Sequence, residues 1–337
     1  MTRITGALLV GILLAALTGC VPAADAAAPT PEPPSPTATA EPTPTIVAKP
    51  AVAFGGSCAA VADEATLSEL VGDDVALRST AGNSERVWAV DVLGGLFCAW
   101  MSDSEAHVEL DVMPGAGLEA QVAKAEAKSP YCYGGEPVEN RCSFSTVVGG
   151  YWLTGIVGVA NGSADTALDV IDAITAGVGD AAAANPPVPV HRAEGMWTVP
   201  ADCATFGSAV DTTAVLGEAF TAEEGGRGGE ASPGFMAATA TVGDFPCTWS
   251  TPEYARWFGS ELLPGAGWAI AELATREGAQ AVAVDGALEA VAVPHGSDTT
   301  SVYATDGVNL AWVQVPADID RASSTALLTM IMAAASR

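Results

Sequence analysis

The tetrapeptide Pro-Gly-Ala-Gly occurs twice, at Pro114–Gly117 and again at Pro264–Gly267, and the landmarks before it recur in the same order. Cys58 stands 14 residues before Gly72 in Leu70-Val71-Gly72, and Cys203 stands 14 residues before Gly217 in Val215-Leu216-Gly217. Cys98-Ala99-Trp100 is then matched by Cys247-Thr248-Trp249. The copies are offset by 145, 149 and 150 residues, a drift of a few loop insertions. Four landmarks in one order read as an internal duplication, so the chain is expected to build the same unit twice.

The N-terminus carries a different signal. Arg3 precedes an apolar run from Gly6 to Leu17, too short for a mature membrane span and of the length of a signal-peptide core. It ends in Leu17-Thr18-Gly19-Cys20, which resembles the lipobox of bacterial lipoproteins. That resemblance implies cleavage before Cys20, diacylglycerol on its thiol, and a chain held at the outer face of the cytoplasmic membrane. From Val21 to Pro50 there are nine prolines among Ala, Thr and Glu. Proline fixes φ and removes donors, so this stretch reads as an extended tether reaching up to roughly 90 Å at about 3.1 Å per residue. Its threonines Thr30, Thr37, Thr39, Thr43 and Thr45 are acceptors for O-glycans. A second break, Gly179 to His191, contains Asn185-Pro186-Pro187-Val188-Pro189. The organisation is thus a signal peptide (1–19), a lipidated tether (20–50), a first module (51–180), a linker (181–191) and a second module (192–337).

Loss of residues 1–19 removes only Arg3, leaving 12 basic against 40 acidic residues. Such a surface repels nucleic acid and anionic headgroups, which excludes nucleic acid as a partner. Apart from Cys20, six cysteines remain, and an even number in an exported chain reads as disulfides. The repeat selects among the fifteen pairings that six cysteines allow. Cys58–Cys98 and Cys203–Cys247 are equivalent, and Cys132 and Cys142, without counterparts, pair across Gly134-Gly135. No histidine joins these thiols at metal-ligand spacing, so no metal is assigned.

Elements follow in parallel. Asp63 or Thr66 caps a helix that Gly72 stops, and Asp211 and Gly217 mark its equivalent. Strand-like stretches run over Val87 to Val92, Phe97 to Met101 and Val108 to Met113. Helices are predicted from Leu118 to Lys128 and from Trp268 to Arg276. Asp285-Gly286 and Asp306-Gly307 between apolar runs predict hairpins. Each module closes with an amphipathic helix: Ala167, Leu168, Ile171, Ile174 and Val178 behind Ser163, then Ile319, Leu327, Leu328 and Ile331. The fold class is α+β, two modules each with helices on an antiparallel sheet.

The order Cys, short helix to Leu-Val-Gly, Cys-x-Trp, strand and Pro-Gly-Ala-Gly resembles a family of surface lipoproteins of high-GC Gram-positive (actinobacterial) bacteria. The resemblance covers the lipobox, the tether and the first half of each repeat. It implies small α+β modules, with Mog1/PsbP-like architecture as an analogy for the sheet. The duplication and the pair Cys132 and Cys142 depart from that pattern.

No linear catalytic motif is present, so no catalytic residue and no cofactor are assigned. His107, His191 and His295 lie apart in sequence, and no G-x-S-x-G, S-x-x-K or H-E-x-x-H occurs. Gly225-Gly226-Arg227-Gly228-Gly229 reads as a loop, because Glu230-Ala231-Ser232-Pro233-Gly234 is not taken as the helix start that a phosphate cradle needs. Asp73-Asp74 and Glu223-Glu224 lack calcium-loop spacing and read as solvated charge. Trp100 and Trp249 read as core beside the disulfides. Trp257, Phe258 and Trp268 are candidates for surface contact, with one of Trp257 and Phe258 facing outward. The leading expectation is a non-catalytic, lipid-anchored protein binding a protein, glycan or small molecule. An envelope enzyme with a site assembled only in space, and a structural subunit of an envelope complex, are the alternatives. Cys20→Ala should release the chain from membranes or leave an uncleaved precursor, read by membrane fractionation and intact mass; unchanged anchoring would refute the lipobox reading.

Overall fold

A computed structural model describes residues 45–78, 84–104, 106–135, 138–159, 163–189, 192–225 and 232–336. Cys20, the signal sequence, most of the tether, His191 and the Gly226–Gly229 run lie outside the described residues. Residues 44–337 form one compact unit. Its first half comprises α1 (Glu64–Val71), β1 (Ala76–Leu77), α2 (Ser84–Val92), β2 (Leu96–Met101), β3 (His107–Pro114) and α3 (Glu119–Glu126). These are followed by β4 (Tyr131–Gly135), β5 (Val138–Val148), β6 (Tyr151–Val159) and α4 (Ala164–Ala184). The second half runs α5 (Cys203–Gly207), α6 (Thr212–Leu216), β7 (Thr221–Glu224), α7 (Pro233–Val242), β8 (Phe245–Ser250) and β9 (Trp257–Leu263). It continues with α8 (Ala269–Leu273), β10 (Gln280–Ala281), β11 (Glu289–His295), β12 (Thr299–Thr305), β13 (Leu310–Pro316) and α9 (Arg321–Ala335).

The fold is α+β, with two antiparallel sheets. One has the order β1-β2-β3-β6-β5-β4 and the other β7-β8-β9-β13-β12-β11-β10. The orders coincide apart from the short terminal β10. Helix ends obey the local chemistry of the sequence. Asp63 accepts from Thr66 N–H and Gly72 closes α1 in the left-handed region; Asp211 and Gly217 do the same for α6. Ser163 forms a capping box with Thr166. α4 runs on to Ala184, through the first residues of the expected linker, and is capped at Asn185.

The disulfides are Cys58–Cys98, Cys132–Cys142 and Cys203–Cys247. The Pro-Gly-Ala-Gly repeat has a packing reason. Gly115 N–H donates to Gly150 O at the β5–β6 turn, and Gly267 N–H donates to Val308 O at the β12–β13 turn. A Cβ on Gly267 would lie 2.7 Å from Gly307 O, so the turn-to-turn contact requires glycine there.

Each sheet has an outer face and an inner face. Outside, α1 and α4 cover Cys98, Trp100, Leu110 and Phe144 of the first sheet, while α5, α6 and α9 cover Trp249, Phe258, Val302 and Val313 of the second. The inner faces share one apolar cluster. Val87 to Val92, read from sequence as a strand, belongs to helix α2. The run is apolar apart from Asp91 and shows no clear stripe, so periodicity alone could not separate a buried helix from a buried strand. Its burial is the reason: Trp88, from the first half, meets Trp268, Tyr303 and Trp312 of the second edge-on at 6.4, 6.3 and 6.2 Å. In return α7, from the second half, packs on β3 and β6 of the first sheet and alongside α2. The last tether residues also join in. Val47 N–H donates to Gly307 O, and Lys49 Nζ bridges Asp91 (2.9 Å) and Glu272 (3.0 Å) while lying 4.4 Å above Trp268.

Trp88→Ala should therefore weaken both halves at once, by about 3–5 kcal/mol. Urea unfolding followed by tryptophan fluorescence and by far-ultraviolet dichroism should shift together in a single transition. Loss of one half alone would contradict the shared core.

Candidate functional site

α7 covers β3 and β6 on the inner face of the first sheet, and a groove opens beside it over β5, bounded by α3. Two adjoining hollows of about 620 and 370 Å³ share Ala125, Lys128 and Pro233. Both are of the size of small-ligand clefts, about 300–1,000 Å³. One wall is α3 and the turn after it, which present Gln121, Lys124, Ala125 and Lys128 at helical spacing. The opposite wall is α7, with Pro233, Met236, Ala237 and Ala240. Tyr131, Ser143 and Ser145 line the sheet side, and the fully buried Trp152 donates Nε1–H to Ser145 Oγ at 2.8 Å. Ser129 Oγ accepts Ser145 N–H at 2.6 Å, and Ser143 Oγ donates to Tyr131 O.

The alternation of the strands sets which side chains share this face. Cys132 and Cys142 are register partners, and Cys142 packs with Phe144 in the outer core. Tyr131 and Tyr133, opposite Ser143 and Arg141, therefore point to the groove side. The two tyrosine rings stack at 5.7 Å with a 25° tilt, and Tyr131 is 60% exposed. The Cys132–Cys142 bridge, with a Cα separation of 4.0 Å, ties their strand to β5 from behind. Gly135 pairs with Val138, so Gly134-Gly135 belong to β4 rather than forming the hairpin turn expected of them.

The groove brings positive charge together in a strongly acidic chain, although Arg78, Arg192 and Arg321 likewise form no ion pair with a described residue. Acidic residues number 40 and basic ones 13, so most cations have carboxylates available. Lys49 and Arg256 use them, Arg256 binding Glu218 and Asp318. Lys124 and Lys128, both exposed, form no ion pair with a described residue.

The wall formed by α7 is seated by a buried polar cluster. Ser232 caps α7, accepting Phe235 N–H, and its hydroxyl donates to Asp111 Oδ2 of β3. Gly234 N–H donates to Thr154 Oγ1 at 2.9 Å, and a Cβ on Gly234 would lie 2.3 Å from that oxygen. The sequence Ser232-Pro233 is thus a helix start, correcting its reading as loop, and α7 has its N-terminus against Asp111. Asp111 is buried with Oδ1 unpartnered. Burial pushes its pKa up to about 7; the Ser232 hydroxyl pulls it back and the charge of Glu109 adds to the rise.

Of the residues singled out in the sequence, Trp257 is exposed at 47%, whereas Phe258 stacks on Trp249 at 5.3 Å and Trp268 is buried in the shared cluster. Trp268 is therefore corrected from a surface contact to core, because Trp88 and Lys49 cover it. Neither Trp257 nor Phe258 lines the groove. His107 lies on β3 and His295 on β11, in different sheets. Glu223 accepts from the Tyr254 hydroxyl and Glu224 from Cys203 N–H, so this acidic pair is engaged in local structure. Sequence reading singled out neither Lys124 nor Lys128; their i, i+4 spacing was the available signal. Among the described residues no group of three or more His, Cys, Asp or Glu is placed to hold a metal ion, and no helix is long and apolar enough to cross a membrane. No protein-family model, curated protein or solved structure matches the chain.

Asp111 gives a pH dependence of definite sign. Its pKa in the fold (about 7) lies above the ordinary carboxylate value of 3.8, so the folded chain binds the extra proton between those values. Stability contributed at this site is full below pH 4 and falls as pH rises through 7, by about 4 kcal/mol in all. Asp111→Asn should remove this slope: measured by urea titration at several pH values, its advantage over the natural chain should grow from pH 4 to 8. Parallel curves would refute a protonated Asp111.

Proposed function

We propose that this chain is a lipid-anchored extracytoplasmic binding protein, made of two copies of one α+β module, which holds its ligand or partner in the groove between α3, β5 and α7. The observation that carries the reading is the groove itself, lined by Lys124 and Lys128, which have no ion pair among the described residues, and by the exposed Tyr131, in a strongly acidic chain. An exposed aromatic costs solvation and an unpaired cation forgoes available carboxylates; both are explained by a ligand that takes them up. Cations, hydroxyls and aromatic rings are recognition groups; Lys124, Tyr131, Ser143 and Ser145 lie on α3, β4 and β5, and Lys128 in the turn after α3. The three disulfides fit an oxidising compartment, in line with the lipobox at Cys20. The equal strand orders and equivalent disulfides support the module duplication.

Hydroxyl-radical footprinting of the full chain tests the site. Tyr131 and Met236 should be protected in intact envelopes relative to the purified protein, while Trp257 reacts equally in both. Equal labelling of Tyr131 in both samples, or protection centred on Trp257, would overturn the groove as the site of engagement.

A further inference from the structure

We infer that the groove binds an anionic saccharide, a short glycan bearing a carboxylate or phosphate group; this rests on the binding reading above and names its ligand class. Two walls of different chemistry lead to it. On the sheet side, Tyr131 stacks on Tyr133 at 5.7 Å and, 60% exposed, leaves its own outer ring face open beside the hollow. The electron-rich face of such a ring attracts the slightly positive C–H edge of a pyranose, whose two faces are apolar while its rim is polar. On the helix side, Lys124 and Lys128 carry charge that no described residue neutralises. Ser143 and Ser145 stand at the base of the same hollow, where sugar hydroxyls would meet oxygen partners.

Charge limits the length of the ligand. A net charge of −27 opposes a long polyanion lying across the surface. A single acidic group seated between two lysines is shielded from that field beyond about 8 Å at physiological ionic strength. The geometry also favours a ring on the face over a peptide strand on the edge. β4 is the terminal strand, but its ladder is broken by a bulge between Tyr133 and Gly135, which blunts strand addition.

A hollow in the second half, between α8, β10 and β11 and of about 370 Å³, is lined by Ala279, Ala281, Val282, Ala290 and Glu289 and by no cation or aromatic residue. Among the described residues the second half has no bridge like Cys132–Cys142. The extra disulfide thus braces the one strand that bears the aromatic pair, which reduces the ordering needed on binding.

Isothermal titration of the full chain with a glucuronic-acid-containing disaccharide, glucose 6-phosphate, the neutral glucose disaccharide and inorganic phosphate provides the test. Either charged sugar should bind at least tenfold more tightly than the neutral disaccharide and than phosphate alone. Lys124→Ala with Lys128→Ala should abolish that preference, whereas Tyr131→Ala should weaken charged and neutral sugars alike, with folding checked by far-ultraviolet dichroism. Equal affinity for neutral and charged sugars would overturn the anionic class, and phosphate binding as tightly as the sugars would overturn the saccharide. If no sugar binds while Tyr131 stays protected in envelopes, the saccharide proposal falls and the groove reading stands.

Discussion

The contact of Trp88 with Trp268, Tyr303 and Trp312 is the interaction on which the rest of this molecule depends. Each sheet has two apolar faces, and its outer helices, α1 and α4 or α5, α6 and α9, cover only the outer one. The inner faces need an apolar cover of their own. The chain supplies it by exchange: α2, which precedes the long strands of the first sheet, lays its tryptophan on the second sheet, and α7 does the reverse. Large aromatic side chains bury about 150–250 Å² each, so this cluster outweighs any single surface ion pair in joining the halves.

Exchange also explains the groove. α7 is short, and it is held at its start by Ser232 on Asp111 and by Gly234 against Thr154. It reaches β3 and β6 while α3 packs on β5, and the two leave a gap between them on the inner side. The hollow is therefore bounded by a wall from each half of the chain. A carboxyl with a pKa near 7 in that seat is a buried polar group with one oxygen unpartnered, a destabilising feature that the surrounding packing has to outweigh.

Much of the outer architecture was legible in the sequence because it rests on local chemistry. Asp63 and Gly72, Asp211 and Gly217, and Ser163 mark helix ends by side-chain caps and left-handed glycines, which need no knowledge of the partner surface. The cysteine pairing followed from the repeat. The inner layer was illegible for the opposite reason. Val87 to Val92 is apolar except for Asp91 because it lies between two sheets, and nothing in its own period says so. The helix at Ser232-Pro233 was hidden by the glycine run before it, and Trp268 looked like a surface aromatic because its cover, Trp88 and Lys49, is distant in sequence. Lys124 and Lys128 were passed over as ordinary exposed helix residues; only the strand opposite them gives them a role.

The two halves share a strand order yet divide the work. Both retain the outer disulfide, the buried Trp of the Cys-x-Trp motif and the turn-to-turn contact of Pro-Gly-Ala-Gly, which are the features a sheet with one closing helix needs to hold its register. Only the first half adds the Cys132–Cys142 bridge, the tyrosine pair and the free lysines. The second contributes a wall, through α7, and a mooring for the tether, through Gly307 and Glu272. Lys49 lies at the exposed rim of the shared core, bonding Asp91 of one half and Glu272 of the other. A pull on the tether is thus resisted by both halves together. These ion pairs act beside the Trp88 cluster and the packing of α7 on β3 and β6, which also join the halves.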